Sequence, residues 1–368
     1  MKITIIGAGN IGTQFAIEFA EKGHDVTIFA SKPSCIKKNL FMVNEVGETT
    51  KKGEVKKITN NIKDAVEDAE YIIITYPAFM LKDIADRLFD YVEAGMKIGV
   101  IPGTGGAEFF FARHVKKGAV LFGLQRVPGV ARLETYGECV RVSGKRERLH
   151  LAVIPKCMST EIANVMESVF EMPCEILPNY LCVTLTPSNP ILHTTRLKTL
   201  FEEYVPGRVY EKNPLFYQEW TDKSSELLLR CDSELQEICK TLKALDLSEV
   251  RSLKLHYEST NVKEMTQKLR SIKSLQGLYT PMLKVEGGYI PDFNSRYFTA
   301  DFPYGLSIIA QLAKVLSVDV QYIKETLDWY YSVTGRREEV HLSEYGICSY
   351  EAVIEFYREK EIYNNKEE

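Results

Sequence analysis

The sequence predicts an α/β domain built on a parallel sheet over residues 1–180, followed by an all-α helical domain over residues 181–368. Three observations support this. Short apolar runs alternate with helical patterns in the first half, and these runs are apolar on both faces, as in buried parallel strands. After about Leu181 the strand-like runs largely disappear and long amphipathic segments follow. A length of 368 residues also fits two domains of roughly 150 residues each.

The predicted elements follow in order. The strands of the first domain are Lys2–Gly7, Asp25–Ala30, Glu54–Ile58, Glu70–Thr75, Lys97–Pro102, Ala119–Phe122, Cys139–Val142, Leu149–Ile154 and Cys174–Leu177, with a hairpin tip at Lys145–Arg148. Its helices are Ile11–Ala20, Leu81–Phe89, Phe109–Val115 and Thr160–Phe170. The second domain contains helices at Ser224–Leu245, Thr260–Leu275, Leu306–Leu316 and Val320–Thr334, and a frayed, charged tail after Tyr363.

Composition excludes several classes of protein. With 45% apolar and 26% charged residues, the chain is not broadly disordered. Its net charge of -4 argues against a dedicated nucleic-acid binder. The eight cysteines form no C-x-x-C pair, so neither a metal site nor a disulfide framework is expected. We find no apolar run of about 18 residues and no signal-peptide pattern, so we expect a cytoplasmic protein without a membrane span.

The strongest motif is a glycine-rich turn between the first strand and the first helix. Gly7, Gly9 and Gly12 form G-x-G-x-x-G, with Asn10 and Ile11 opening the helix. In a Rossmann-type domain the first glycine permits the turn, the second lets a pyrophosphate approach, and the third lets the helix pack on the strand. The sequence therefore predicts dinucleotide binding at this turn. The alternative is an ordinary strand-to-helix turn.

The end of the second strand indicates which dinucleotide binds. NAD-binding domains place an acidic residue there to bond the ribose hydroxyls. Here Ala30 takes that place and is followed by Ser31 and Lys32, which could hold a 2′-phosphate. The sequence therefore favours NADP over NAD. The alternative is that Lys32 is an ordinary solvated lysine.

Two further turns should lie at the same sheet edge, where ligands of such domains bind. Pro77 follows the fourth strand, and Thr104 lies within the glycine-rich segment 102–106 after the fifth. Pro77 is assigned to the cofactor and Thr104 to the substrate. The segment 102–106 is equally explained as a loop that needs left-handed backbone conformations.

His193 stands apart from the other five histidines because it lies near the domain junction, where a cleft should open. Asn189 precedes it by four residues, so on a helix starting near Pro190 the two would share a face. The alternative is that His193 has only a structural role.

A second cluster places Arg296 and Asp301 in an aromatic segment bounded by proline and glycine. Arg296 and Asp301 are either part of an active site or the two partners of an internal salt bridge.

Four motifs occur in one order along the chain: G-x-G-x-x-G, Tyr-Pro-Ala-Phe, Ser-Asn-Pro-(x)2-His and Arg-(x)4-Asp-(x)-Pro-(x)-Gly. Together they resemble the octopine/nopaline, or opine, dehydrogenase family across essentially the whole chain. The resemblance implies a Rossmann domain and a helical domain with the active site between them. It also implies condensation of an α-keto acid with the amino group of an amino acid, using NADH or NADPH.

The resemblance also assigns roles to residues. His193 would be the general acid/base, Asp301 would orient it, and Arg296 would hold the keto-acid carboxylate. Glu134, Thr135 and Cys139 resemble a stretch that lines the amino-acid pocket in some members, although the spacing differs. Thr194 stands where members often have proline, which leaves the start of the local helix open.

Two other functions remain open from the sequence. A ketopantoate-reductase-like enzyme acting on C=O would need a lysine early in the helical domain, and Lys198 and Lys212 are the nearest candidates, neither in a matching motif. A nucleotide-binding regulatory protein is the other, against which His193, Arg296 and Asp301 together argue. The sequence leaves open the substrate pair and the oligomeric state, for which a homodimer is one arrangement.

Overall fold

The structure is a computed structural model that describes residues 1–337 and 339–358. It divides into two compact units, Met1–Val183 and Thr184–Glu368. The tail predicted after Tyr363 lies outside the described residues. No helix in the described ranges is long and apolar enough to cross a bilayer.

The first unit alternates strands and helices, as the apolar runs predict. Its strands are β1 Lys2–Ile6, β2 Asp25–Phe29, β3 Asn39–Val43, β4 Thr49–Glu54, β5 Lys57–Thr59, β6 Tyr71–Ile74, β7 Lys97–Val100, β8 Val120–Leu124, β9 Val130–Thr135, β10 Cys139–Ser143, β11 Leu149–Ile154 and β12 Cys174–Ile176. Its helices are α1 Asn10–Glu21, α2 Ile62–Val66, α3 Leu81–Leu88, α4 Ala107–Phe110, α5 Ala112–Lys116 and α6 Ser159–Phe170, and α7 Leu181–Thr184 lies at the boundary with the second unit.

The main sheet has eight strands in the order β12-β11-β8-β7-β6-β1-β2-β5. Every neighbouring pair is parallel except β8 and β11, which run antiparallel. The central strand β6 is buried at all four positions, because helices cover both faces of such a sheet. The predicted α/β domain with a mainly parallel sheet is confirmed.

A second, four-stranded sheet in the order β4-β3-β10-β9 corrects two predictions. The expected hairpin with its tip at Lys145–Arg148 is wrong, because β10 pairs with β3 and β9 while β11 joins the main sheet. The single strand expected at Glu54–Ile58 is divided between β4 and β5. The break falls at Val55, which is fully buried. The helix expected at Phe109–Val115 is likewise divided, into α4 and α5.

The second unit is helical, as predicted. It contains α8 Leu192–Phe201, α9 Asp222–Thr241, α10 Leu253–His256, α11 Val262–Ser271, α12 Arg296–Thr299, α13 Ser307–Val315, α14 Gln321–Thr334 and α15 Tyr350–Tyr357. It also holds a β-hairpin that the all-α prediction lacks, formed by β13 Met282–Val285 and β14 Gly288–Pro291. A π-helical turn, Phe302–Leu306, leads directly into α13.

Candidate active site

The glycine-rich turn has the geometry that its motif predicts. Gly7 has a φ of +111°, and a Cβ on Gly12 would lie 1.9 Å from the Gly7 carbonyl oxygen, so both positions require glycine. A Cβ on Gly9 would meet nothing within 4 Å, and no side chain caps the start of α1. An open approach to an uncapped helix N-terminus fits a pyrophosphate. The Asn10 side chain accepts a hydrogen bond from the Leu133 N–H at 2.8 Å, so it ties the turn to β9.

The end of β2 carries no acidic side chain. Ala30 is buried, and its N–H donates to the Thr59 carbonyl at 2.9 Å. Ser31 and Lys32 follow as exposed residues. In the described residues no hydrogen bond or ion pair engages the Lys32 side chain, which leaves its ammonium available to an anionic ligand.

The turns after β6 and β7, where ligand contacts were predicted, also have structural roles. The Tyr76 ring covers Gly7 and lies 3.2 Å from where a Cβ would be, and burial raises the pKa of Tyr76. Pro77 is next in the chain and is half-buried. In the second turn, Gly105 and Gly106 have φ values of +89° and +82°. A loop that needs left-handed backbone conformations therefore explains why these two residues are glycines. Thr104 is half-buried beside them.

Glu134, Thr135 and Cys139 are brought together where β9 and β10 meet. Cys139 pairs directly with Thr135 across the two strands. The Glu134 carboxylate accepts a hydrogen bond from the Arg141 guanidinium at 2.6 Å, so a cation on the same hairpin already offsets its charge. Burial raises the pKa of the Cys139 thiol, with nearby glutamates adding to the effect.

In the second unit the structure joins two of the predicted catalytic residues. Nδ1 of His193 lies 2.8 Å from Oδ2 of Asp301, although 108 positions separate them in the chain. The two side chains are 12% and 16% exposed, so the pair is shielded while still reachable. A carboxylate on Nδ1 fixes the ring orientation and leaves Nε2 for proton transfer.

The helix that carries His193 begins at Leu192, slightly later than the sequence suggests. The His193 N–H donates to the Asn189 carbonyl at 3.1 Å, so the preceding turn is already helical. Asn189 itself is exposed. The Thr194 hydroxyl donates to the Pro190 carbonyl at 2.5 Å. Threonine is therefore accommodated at this position of the helix.

Asp301 is presented by the π-helical turn that follows it. The Leu306 N–H donates to the Asp301 carbonyl at 2.8 Å, a bond spanning five residues that widens the turn. Gly305 sits against the Pro190 ring, and a Cβ there would lie 2.9 Å from the Pro190 Cγ. This contact brings the turn close to Pro190, which precedes the start of α8 by two residues and His193 by three.

Arg296 is the first residue of α12 and is exposed. The internal salt bridge with Asp301, one of the two alternatives, is not formed, because Asp301 bonds His193. Among the described residues no acceptor engages the Arg296 guanidinium. It is thus free to bind a carboxylate in a bidentate fork.

Tyr217 is a site residue that sequence reasoning missed. Its hydroxyl lies 2.9 Å from Nε2 of His193, and the Tyr297 ring packs on the imidazole with 4.5 Å between centroids. Tyr217 is only 5% exposed. The only available signal was the density of aromatic residues in 214–220, which lies between a proline and the start of α9.

Arg196 is the second missed residue, one helical turn beyond His193. It is 1% exposed, and burial lowers its pKa to about 10. Its guanidinium donates to the carbonyls of Phe216 and Glu219 at 3.0 and 2.7 Å, and it lies over the Trp220 ring at 5.4 Å. Arg196 therefore holds the loop that carries Tyr217.

The lysines of the alternative function lie elsewhere. Lys198 is 3.9 Å from the Glu325 carboxylate on α14, and Lys212 is exposed and pairs with Glu219 at 3.0 Å. Neither contacts His193 or Asp301. Among the described residues no group of three His, Cys, Asp or Glu side chains is placed to hold a metal ion.

A dinucleotide-binding turn in one unit and an imidazole–carboxylate pair in the other define a dehydrogenase, in which a nicotinamide cofactor supplies or accepts hydride. Comparisons with known proteins agree. The family model "NAD/NADP octopine/nopaline dehydrogenase, alpha-helical domain" matches residues 176–334, and "Ketopantoate reductase PanE/ApbA" matches residues 3–145. The second match covers the nucleotide-binding part alone.

Relatives extend this similarity over nearly the full chain. Octopine dehydrogenase of Pecten maximus is 25% identical, and opine dehydrogenase of Haliotis discus hannai is 26% identical, each over 91% of both chains. A solved octopine dehydrogenase in complex with NADH and agmatine has the same fold, with a TM-score of 0.83 at 20% identity over 98% of this chain and 99% of that one. The helical unit of the chain thus matches the octopine/nopaline dehydrogenase family model, and the chain as a whole is similar to opine dehydrogenases. These similarities support an NAD(P)-dependent oxidoreductase of the opine dehydrogenase type.

Proposed function

We propose that the protein condenses an α-keto acid with the amino group of an amino acid, with His193 as the acid/base of the reaction. The observation that carries this proposal is the 2.8 Å contact between Nδ1 of His193 and Oδ2 of Asp301. NAD(P)H, when bound at the turn containing Gly7, Gly9, Asn10, Ile11 and Gly12, with Pro77 at the next turn, supplies the hydride. This chain's own residues handle the protons and the carboxylate.

The condensation needs one group that both takes and returns a proton. The amine must lose a proton before its nitrogen attacks the keto carbon, and the resulting carbinolamine must gain one before its hydroxyl leaves as water. Neutral His193 can take the first proton, and the imidazolium that forms can supply the second. Asp301 stabilises the imidazolium between the two steps. Arg296 is unpaired in the described structure, and it would hold the keto-acid carboxylate throughout.

The substrate contacts extend this proposal. Thr104, Glu134, Thr135, Cys139 and Asn189 are proposed to contact the two substrates. The support is that Glu134, Thr135 and Cys139 meet at one end of β9 and β10, and that Asn189 is exposed four residues before His193. We also place the protein in the cytoplasm. All eight cysteines are free thiols, which suits a reducing compartment.

The amine requirement is the first test of this function. We expect NAD(P)H oxidation to require an α-keto acid and an amino acid together, because hydride is delivered to a C=N bond that neither substrate forms alone. The measurement is NAD(P)H absorbance over a matrix of keto acids and amino acids. Omitting either component from the best pair is the control. Full turnover with a keto acid alone would replace this function by C=O reduction.

The second test concerns NADP, which we propose as the preferred cofactor. Lys32→Glu is expected to weaken NADPH binding by about tenfold and to leave NADH binding nearly unchanged, because only NADPH carries a 2′-phosphate for Ser31 and Lys32 to contact. Fluorescence titration with each nucleotide measures the change. Lys116→Glu, the same charge change at an exposed residue of α5, is the control. A clear NADH preference in the unmodified protein would make Lys32 a bystander.

A further inference from the structure

Both nitrogens of the His193 ring are occupied in the structure. Nδ1 contacts the Asp301 carboxylate at 2.8 Å, and Nε2 contacts the Tyr217 hydroxyl at 2.9 Å. A carboxylate only accepts hydrogen bonds, so the neutral ring carries its proton on Nδ1 and its lone pair on Nε2. The Tyr217 hydroxyl therefore donates to Nε2. Any proton that His193 exchanges must pass through the phenolic oxygen unless the phenol moves away.

The surroundings of Tyr217 oppose such a movement. Its ring stacks on Trp220 at an interplanar angle of 12° and meets the edge of Phe216 with 5.0 Å between centroids. The backbone on both sides is fixed, because Arg196 donates to the carbonyls of Phe216 and Glu219. A phenol that is 5% exposed and held in this way is a fixed part of the site.

The phenol also lies within the electrostatic influence of the proposed substrate anchor. Burial raises the pKa of Tyr217 well above its usual value, and the Arg296 guanidinium acts in the opposite direction. Geometry points the same way, because Arg296 adjoins Tyr297, whose ring packs on the His193 imidazole and on Phe216 with 4.5 and 5.2 Å between centroids, so a keto acid bound by Arg296 would approach this part of the site. Burial also disfavours a free tyrosinate, so the phenol must gain a proton as it gives one up.

We propose that Tyr217 is a catalytic residue that relays the proton between His193 and the reacting substrate, an inference that rests on the proposed function. As the substrate nitrogen loses its proton to the phenolic oxygen, the existing O–H bond breaks and its proton forms an N–H bond at Nε2. Tyr217 ends neutral, and His193 ends as an imidazolium beside Asp301. The reverse transfer protonates the carbinolamine hydroxyl, which leaves as water. No oxidant or reductant takes part in the relay.

Tyr217→Phe tests the relay because it removes the hydroxyl and keeps the ring on Trp220. We expect kcat to fall by roughly 10²-fold while KM for the keto acid stays within about threefold. The solvent isotope effect gives a second readout. Rates in mixed H₂O and D₂O should follow a curved dependence in the unmodified protein, where two protons move together. That dependence should be straight in Tyr217→Phe, where only one proton moves.

Tyr210→Phe is the matched control. Its hydroxyl is buried in the same unit and has no hydrogen-bond partner among the described residues, so its removal should leave kcat and the isotope effect unchanged. A kcat in Tyr217→Phe equal to or above that of the unmodified protein would overturn the relay. The phenol would then only shield Nε2 and would transfer no proton. If the unmodified protein instead reduces a keto acid without an amine, the proposed function fails. The same two variants then decide the relay on that reaction.

Discussion

Replacing His193 by alanine is expected to lower kcat by roughly 10²–10⁴-fold while leaving NADPH binding intact. The imidazole is the only group that couples Asp301 to Tyr217 in the described structure, through contacts of 2.8 and 2.9 Å. Without it, the amine has no base and the carbinolamine has no acid. The nucleotide-binding turn lies in the other unit and should be unaffected. Steady-state turnover and nucleotide fluorescence titration measure the two quantities separately.

Two further variants serve as a comparison and a control for His193→Ala. Asp301→Asn keeps the shape of the side chain but removes the charge that stabilises the imidazolium, so kcat should fall with little change in nucleotide affinity. His341→Ala removes a half-exposed histidine of the same unit and should leave turnover unchanged. Near-normal activity of His193→Ala would remove the central assignment, and the role of Tyr217 with it.

The second large effect is expected from Arg196→Ala, which should reduce the free energy of unfolding of the second unit by about 3–5 kcal/mol. Arg196 is 1% exposed and provides the hydrogen-bond donors for the Phe216 and Glu219 carbonyls. Without it these carbonyls stay buried and unpaired, and the Trp220 ring loses its cation. Thermal unfolding should show a fall in melting temperature of roughly 10 °C.

The controls for Arg196 separate charge from burial. Arg208→Ala removes an arginine of the same unit that is 42% exposed and pairs with Glu203, so its melting temperature should barely change. Arg196→Lys keeps the charge, but a single ammonium cannot reproduce the forked geometry and should recover only part of the stability. If Arg196→Ala melted like the unmodified protein, the loop around Tyr217 would have to be held by something other than this guanidinium.

The features predicted well from sequence are those determined by neighbouring residues. The turn containing Gly7, Gly9 and Gly12 needs only the strand before it and the helix after it, and the structure shows both. Strands β3 and β9 were missed, and only the last residue of β4, Glu54, was predicted to lie in a strand. β4 contains two lysines and two threonines, and the apolar residues of β9 are interrupted by Arg132 and Glu134, so neither strand has an apolar run. β3 does have one, from Leu40 to Val43, which was not assigned to a strand.

The site illustrates the same limit. Spacing alone left Asp301 equally suited to a bond with Arg296, five residues away, and only the family resemblance favoured His193. Arg196 resembles any surface arginine of a helix, because its burial depends on carbonyls 20 and 23 residues further along. Tyr217 belongs to a loop whose position no periodicity describes. Contacts between segments far apart in the chain leave no pattern in the local sequence from which they could be predicted.

The π-helical turn at Phe302–Leu306 makes this enzyme sensitive to the length of its chain as well as to its side chains. Removing one residue from that turn would restore an ordinary α-helical repeat and rotate α13 by about 100° relative to Asp301. Gly305 would then leave the Pro190 ring, and the carboxylate would lose its reach to the imidazole. A single-codon deletion there would silence the enzyme with His193, Tyr217, Arg296 and Asp301 all still encoded.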